Sequence, residues 1–168
     1  DAIKARNWDM KVFDQVVVIN NAWRVAVHWD ELIFPYDFSD EKKPTHLLNH
    51  QKFVTEDQFV PAQNLFGGFV YAGATMAFTA GYWSLASHLP TRLCFLGCNM
   101  HYSHCGPTHF YGKGQPDPLR DDITLTSLRA CSHRMLILGK MRGCDIVSLS
   151  AGETNLHVPQ ISFDEFFD

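Results

Sequence analysis

The chain has 168 residues, of which 46% are hydrophobic, 13% aromatic and 19% charged, with a formal net charge of -4. That length can bury a core without staples, and the composition excludes a disordered chain. The negative balance and the lack of any Lys/Arg run exclude a general nucleic-acid binder.

Residues 1–9, "DAIKARNWD", read as the remainder of a helix. "QVVVIN" (15–20) is an apolar, β-branched run of the kind buried on both faces of a parallel sheet. "ELIFPYD" (31–37) is a second strand ended by Pro35, and "FSDEKKP" is a charged turn. "THLLNHQKFV" (45–54) leans to strand. No Asp, Glu, Lys or Arg occurs from Gln58 to Thr91. Its centre holds four glycines but one Leu, one Val and no Ile, which favours a buried helix over a lipid-facing one. The expectation is a helix over 66–82 whose small residues Gly68, Ala72, Gly73, Ala77 and Ala80 approach a sheet closely.

"RLCFLG" (92–97) is another strand, followed by a long loop over 98–122. Asp121 and Asp122 then stand as N-caps of a helix over 123–143, with Leu125, Leu128, Cys131, Met135 and Leu138 on one face and a stop at Gly143. "CDIVSLS" (144–150) is a strand. "SFDE" has capping-box form, which starts a terminal helix at Ser162.

Strands alternating with helices imply βαβ units. The expected fold is α/β, a three-layer α/β/α Rossmann-like sandwich with a mostly parallel sheet, forming one domain over 1–168. Ligands of such sheets bind beyond the carboxyl ends of the strands. Five cysteines, Cys94, Cys98, Cys105, Cys131 and Cys144, are an odd number without framework spacing, which points to a reducing, cytoplasmic setting. No signal-like segment opens the chain, and no transmembrane span is expected.

"HYSHCGPTHFYG" (101–112) gathers three of the nine histidines in a stretch too rich in Gly, Pro and Ser for a helix. Three readings stand. Cys98, His101, His104, Cys105 and His109 are the right ligand types for zinc, though they lack a paired C-x-x-C knuckle. Alternatively one imidazole serves as general base, because histidine titrates near neutrality. His109 has the most specific context, "GPTHFYGKGQPDPLRDD", where prolines and glycines lock the backbone. The third reading is a solvated surface loop, preferred for His101 and His104 taken alone. Asp117, Arg120, Asp121 and Asp122 anchor the junction of this loop with the next helix.

Four stretches, "VVVINNAW", "NLFGGFVYAGATMAFTAGY", "RLCFLGCNMHY" and "THFYGKG", resemble in order the bacterial CMP-sialic-acid-dependent sialyltransferases with a single Rossmann-like domain, and related proteins of surface-polysaccharide loci. The resemblance spans roughly Val16 to Ser150. It implies a glycosyltransferase that moves a sugar from a CMP-activated donor to a glycan acceptor without a metal or other cofactor. Asn20 matches an Asn after the family's second strand that contacts the nucleotide. Gly67 and Gly68 match a Ser-Gly pair at the cytidine, with the hydroxyl lost at Gly67. Asn99 stands where the family has Asp, and its phosphate-binding Tyr becomes Tyr102 or is replaced by His101. His109-Phe110-Tyr111-Gly112 matches the context of the family's general base.

On this reading His109 deprotonates the acceptor hydroxyl, while Tyr102, Tyr111, Lys113 and His101 donate to the departing phosphate. The family also opens on a strand and a "GNGPS"-like turn that this sequence does not contain. Either the sequence is truncated, or the protein lacks that first strand and its donor site is incomplete.

Trp23 is assigned to stacking on a base or sugar and Arg24 to a phosphate, against an equal case for a packing Trp beside a surface Arg. Asp37, with Tyr36, is assigned to sugar hydroxyls, against a turn role. Ser150 and Glu153 border the crevice. The absence of G-x-S-x-G and of a strand-following G-x-G-x-x-G excludes a serine hydrolase and a dinucleotide site. The alternative function is a non-catalytic binding or assembly protein with structural zinc in the 98–109 loop. The apolar, aromatic composition also permits a homo-oligomer.

Overall fold

The computed structural model describes residues 7–26, 28–68, 75–100, 127–150 and 152–167. Two parallel sheets carry the fold. In the first, β2 (Glu31–Ile33) lies between β1 (Val17–Ile19) and β3 (Lys52–Val54), so that Ile19, Ile33 and Val54 stand in register. In the second, β4 (Arg92–Phe95) pairs with β5 (Asp145–Ser148). All three residues of β2 are buried, as a central strand requires.

The side-chain alternation of β-strands splits the first sheet into two cores. Ile33 and Val54 pack with Phe59 and Ala80, from α1 (Glu56–Asn64) and α2 (Met76–Ser87). Leu32, Val18 and Phe34 pack with Trp29 and half-buried Trp23 and Phe38, so 3-10 turns at Asn20–Arg24 and Asp40–Lys42 flank this face. A third core joins Phe78, Tyr82 and Leu85 of α2, Phe95 of β4, Ile146 of β5 and Met135 of α3 (Leu128–Met141). Ile19 at the end of β1 also packs on this third core.

Mixed α/β architecture with parallel strands is therefore as expected, and the five described strands fall within the expected segments. "THLLNHQKFV" is strand only at its end, because Leu48 and Gln51 close a turn before it: Gln51 N–H donates to Leu48 O at 2.9 Å, and Leu48 N–H to Gln51 Oε1 at 3.0 Å. Of the helical remainder expected over residues 1–9, residues 1–6 lie outside the described residues, while Trp8 and Asp9 are not helical and lead into a 3-10 turn at Met10–Val12.

The expected single helix over 66–82 is corrected. Gly67 and Gly68 take left-handed φ of 94° and 79° and close the turn after α1, where Gly68 N–H reaches Gln63 O at 2.9 Å. α2 begins anew at Met76, where Thr75 Oγ1 accepts from Phe78 N–H at 3.3 Å. The close approach was correctly foreseen for Ala77 and Ala80, and Gly81 extends it. A Cβ at Gly81 would stand 2.9 Å from both Phe95 and Met135.

α3 buries the expected face, with Met135 fully buried and Leu128, Cys131 and Leu138 packed beside it. Its cap in the described chain is Ser127, whose Oγ accepts from Ala130 N–H at 3.1 Å; Asp117, Arg120, Asp121, Asp122 and Leu125 lie outside the described residues. Its end is a Schellman turn at Gly143 (φ 73°), with Cys144 N–H on Gly139 O and Gly143 N–H on Lys140 O. α4 (Phe163–Phe167) starts at Ser162 with the expected box: Ser162 N–H donates to Glu165 Oε2 at 2.7 Å, and Glu165 N–H to Ser162 Oγ at 3.2 Å. No helix among the described residues is long and apolar enough to cross a membrane.

Candidate functional site

The carboxyl ends of β1, β4 and β5 hold the residues of interest. β1 runs directly into Asn20, whose φ is +49°. Asparagine tolerates the left-handed region better than other residues with a Cβ. This turn takes the backbone off the strand into the 3-10 segment and leaves two acceptors behind. Oδ1 of Asn20 and Oδ1 of Asn21 are buried, and neither meets a hydrogen-bond donor among the described residues.

β4 ends in "LGCNM", with Gly97 at φ 72° and Met100 at φ 53°. Asn99 is clamped to the segment after β5. Its Oδ1 accepts from Ser150 Oγ at 2.6 Å, and its carbonyl accepts from Asn155 N–H at 2.8 Å and Thr154 Oγ1 at 3.2 Å. The carbonyl of Met100 accepts from Asn155 Nδ2 at 2.9 Å. The Gln160 amide, donating to Ser150 O at 3.1 Å and Gly152 O at 2.8 Å, fixes the same segment from its far end. Gln160 bridges to Ser148 in parallel beside β5, an edge contact with no distinct signal in the sequence.

These contacts shape a cleft of about 580 Å³ at the ends of β4 and β5. Leu96, Leu149, Ser150 and Glu153 line it, together with Trp8, Gln160, Phe163 and Glu165. Ser150 and Glu153 thus stand where they were expected. Trp8 and Phe163 were not foreseen: their rings stack with centroids 4.1 Å apart, a contact between residues 155 positions apart that no local pattern encodes.

A second cleft, of about 470 Å³, involves Trp23, Arg24, Trp29, His46 and Gln51. Trp23 is half-buried, its Nε1 donates to Lys42 O at 2.9 Å, and the Arg24 guanidinium lies 5.3 Å from its ring centroid. The packing role therefore has direct contacts, and one face of the indole is already occupied. Asp37 is exposed in the turn after β2, closed by Phe38 N–H on Pro35 O at 2.9 Å. Tyr36 beside it is exposed, and a hydrogen bond to Asp57 raises its phenol above the ordinary range.

Of the zinc set, only Cys98 is described. It is half-buried with Sγ 3.8 Å from Leu96 O, and desolvation pushes its thiol up to about 12. No cluster of three or more potential ligands occurs among the described residues. His101, Tyr102, His104, Cys105, His109, Tyr111 and Lys113 lie outside them.

The most tightly held carboxylate is elsewhere. Glu31 opens β2, at the opposite strand ends, and is fully buried. Its Oε2 accepts from Trp83 Nε1 at 2.6 Å and faces His88 Nε2 at 3.0 Å, while Lys52 Nζ lies 2.9 Å from Oε1. Desolvation raises its pKa, but the contacts from His88, Trp83 and Lys52 outweigh that and bring it down to about 2. His88 is thus a structural partner of Glu31.

No family model matches the chain, and no curated protein or solved structure matches it. The likeness to sialyltransferases rests on the quoted stretches of sequence.

Proposed function

We propose that this protein is a nucleotide-sugar glycosyltransferase that uses a CMP-activated donor, with His109 as general base. The observation that carries the reading is Asn20: a left-handed residue at a strand end whose buried amide oxygen has no donor among the described residues. An unsatisfied buried acceptor costs about 1–3 kcal/mol. Such strain at a strand's carboxyl end is characteristic of a ligand site, and a nucleotide base or ribose supplies the missing donor.

In this reading the two sheets, which are separate among the described strands, lie side by side in the order 3-2-1-4-5 as in a three-layer Rossmann-like sandwich. The packing of Ile19 on the core that contains Phe95 supports that order. The switch point then falls between β1 and β4, with Asn20 on one side and the Gly97–Asn99 turn on the other. Gly67 and Gly68 offer backbone without side chains to the cytidine.

The transfer balances without a metal. The acceptor hydroxyl gives its proton to the His109 imidazole, its oxygen bonds to the anomeric carbon, and the bond from that carbon to the phosphate oxygen breaks. CMP leaves with the electron pair, and Tyr102, His101, Tyr111 and Lys113 neutralise its charge. The described cysteines Cys94, Cys98, Cys131 and Cys144 are free thiols, which suits a reducing cytoplasmic setting.

A thermal-shift titration with CMP, UMP and GMP tests the reading. At about a hundredfold excess over its Kd, CMP stabilises the fold by about 2.7 kcal/mol. The reading predicts a shift with CMP that EDTA does not alter. No shift with CMP, or equal shifts with all three nucleotides, overturns it.

A further inference from the structure

The cleft at the ends of β4 and β5 has a chemistry of its own. Its lining includes two carboxylates, Glu153 and Glu165, and among the described residues no Lys, Arg or His. Glu165 is held in its charged form by the Ser162 backbone and hydroxyl, which lower its pKa. Gln160 spends its amide hydrogens on Ser150 O and Gly152 O and keeps only its carbonyl oxygen to offer. Ser150 commits its hydroxyl proton to Asn99 and is likewise left as an acceptor. Beside these acceptors stand the stacked rings of Trp8 and Phe163.

An occupant of this cleft must bring hydrogen-bond donors, an apolar face and no negative charge. A phosphate or carboxylate meets two like charges and, among the described residues, no cation. A pyranose meets the requirement: its C–H face packs on the aromatic rings and its hydroxyls or amine donate to the carboxylates.

We propose that this cleft is the acceptor subsite and that it takes a neutral or amino sugar in preference to an acidic one. The acceptor role rests on the transferase reading above. It also separates the two substrates, since the acidic cleft disfavours the anionic donor, which the transferase reading assigns to the strand end at Asn20.

Saturation-transfer NMR with lactose, glucosamine and glucuronate, each on the full chain, tests it, with CMP titrated by calorimetry into the same samples. Lactose and glucosamine receive saturation and glucuronate does not. Trp8→Ala weakens lactose binding about tenfold. Glu153→Gln, which keeps the volume of an exposed side chain, weakens glucosamine and admits glucuronate. No transfer to lactose or glucosamine, glucuronate binding equal to theirs, or a Glu153→Gln protein with unchanged selectivity overturns the proposal. If CMP binds and sugars do not, the subsite is wrong and the transferase reading stands. If sugars bind and CMP does not, the acceptor role falls together with that reading.

Discussion

Ser150 Oγ donates a 2.6 Å hydrogen bond to Asn99 Oδ1 and so ties the turn after β4 to the end of β5 at the rim of the site. Asn99 is the residue that stands where the resembled family has Asp. Its side-chain oxygen already accepts one hydrogen bond within the protein, which leaves Nδ2 and the second lone pair of Oδ1 for the sugar donor. Ser150→Ala removes the clamp. The expected result is a loss of about 1 kcal/mol in urea unfolding, accompanied by weaker CMP binding. Unchanged stability and affinity contradict the clamp.

Glu31 links stability to pH. Its ordinary pKa is 4.5 and its folded value is about 2. A depressed carboxylate contributes stability that is complete above the unfolded pKa and lost as pH falls through the folded one. The protein therefore loses stability of order 3 kcal/mol from this group between about pH 5 and pH 2. Urea unfolding across that range reads the slope, and Glu31→Gln flattens it. An equal slope in the variant removes Glu31 as the source.

Gly139 sits where β5 crosses α3. A Cβ there would lie 2.6 Å from Ile146 Cδ1 and 3.3 Å from the Cys144 carbonyl. Gly139→Ala is expected to destabilise by about 1–3 kcal/mol. Adding Ile146→Val, which removes the nearest clashing atom, recovers part of that loss. Additive losses in the double variant contradict this packing.

His109→Ala is expected to lower turnover by about 10²–10⁴-fold and leave CMP affinity intact. Retained turnover, measured as CMP release from a CMP-sugar, removes His109 from the role of base.

Strands were legible because β-branched runs such as "VVVI" report burial on both faces directly. The inward face of α3 and the box at Ser162 were legible for a similar reason, since periodicity and capping are local. α1 was hidden: its Pro61 and weak amphipathicity mask a helix that is started by Thr55, whose N–H donates to Gln58 Oε1 at 2.9 Å. The break at Gly67 and Gly68 was missed because an uncharged run was read as continuous, whereas two positive-φ glycines end it. Ser150 and Glu153 were placed by the rule of strand ends. Trp8, Phe163 and the Glu31–Trp83–His88 cluster depend on contacts distant in sequence, which no window of residues contains.

The central claim is tested most directly at Asn20, by calorimetric titration of CMP into the wild-type protein and Asn20→Gly, with urea stability measured on both. Glycine keeps the left-handed turn and deletes the buried oxygen that has no donor among the described residues. The account predicts a variant at least as stable as the wild type that no longer binds CMP. A variant that is less stable and binds CMP as well as the wild type would make Asn20 a structural residue and contradict the account.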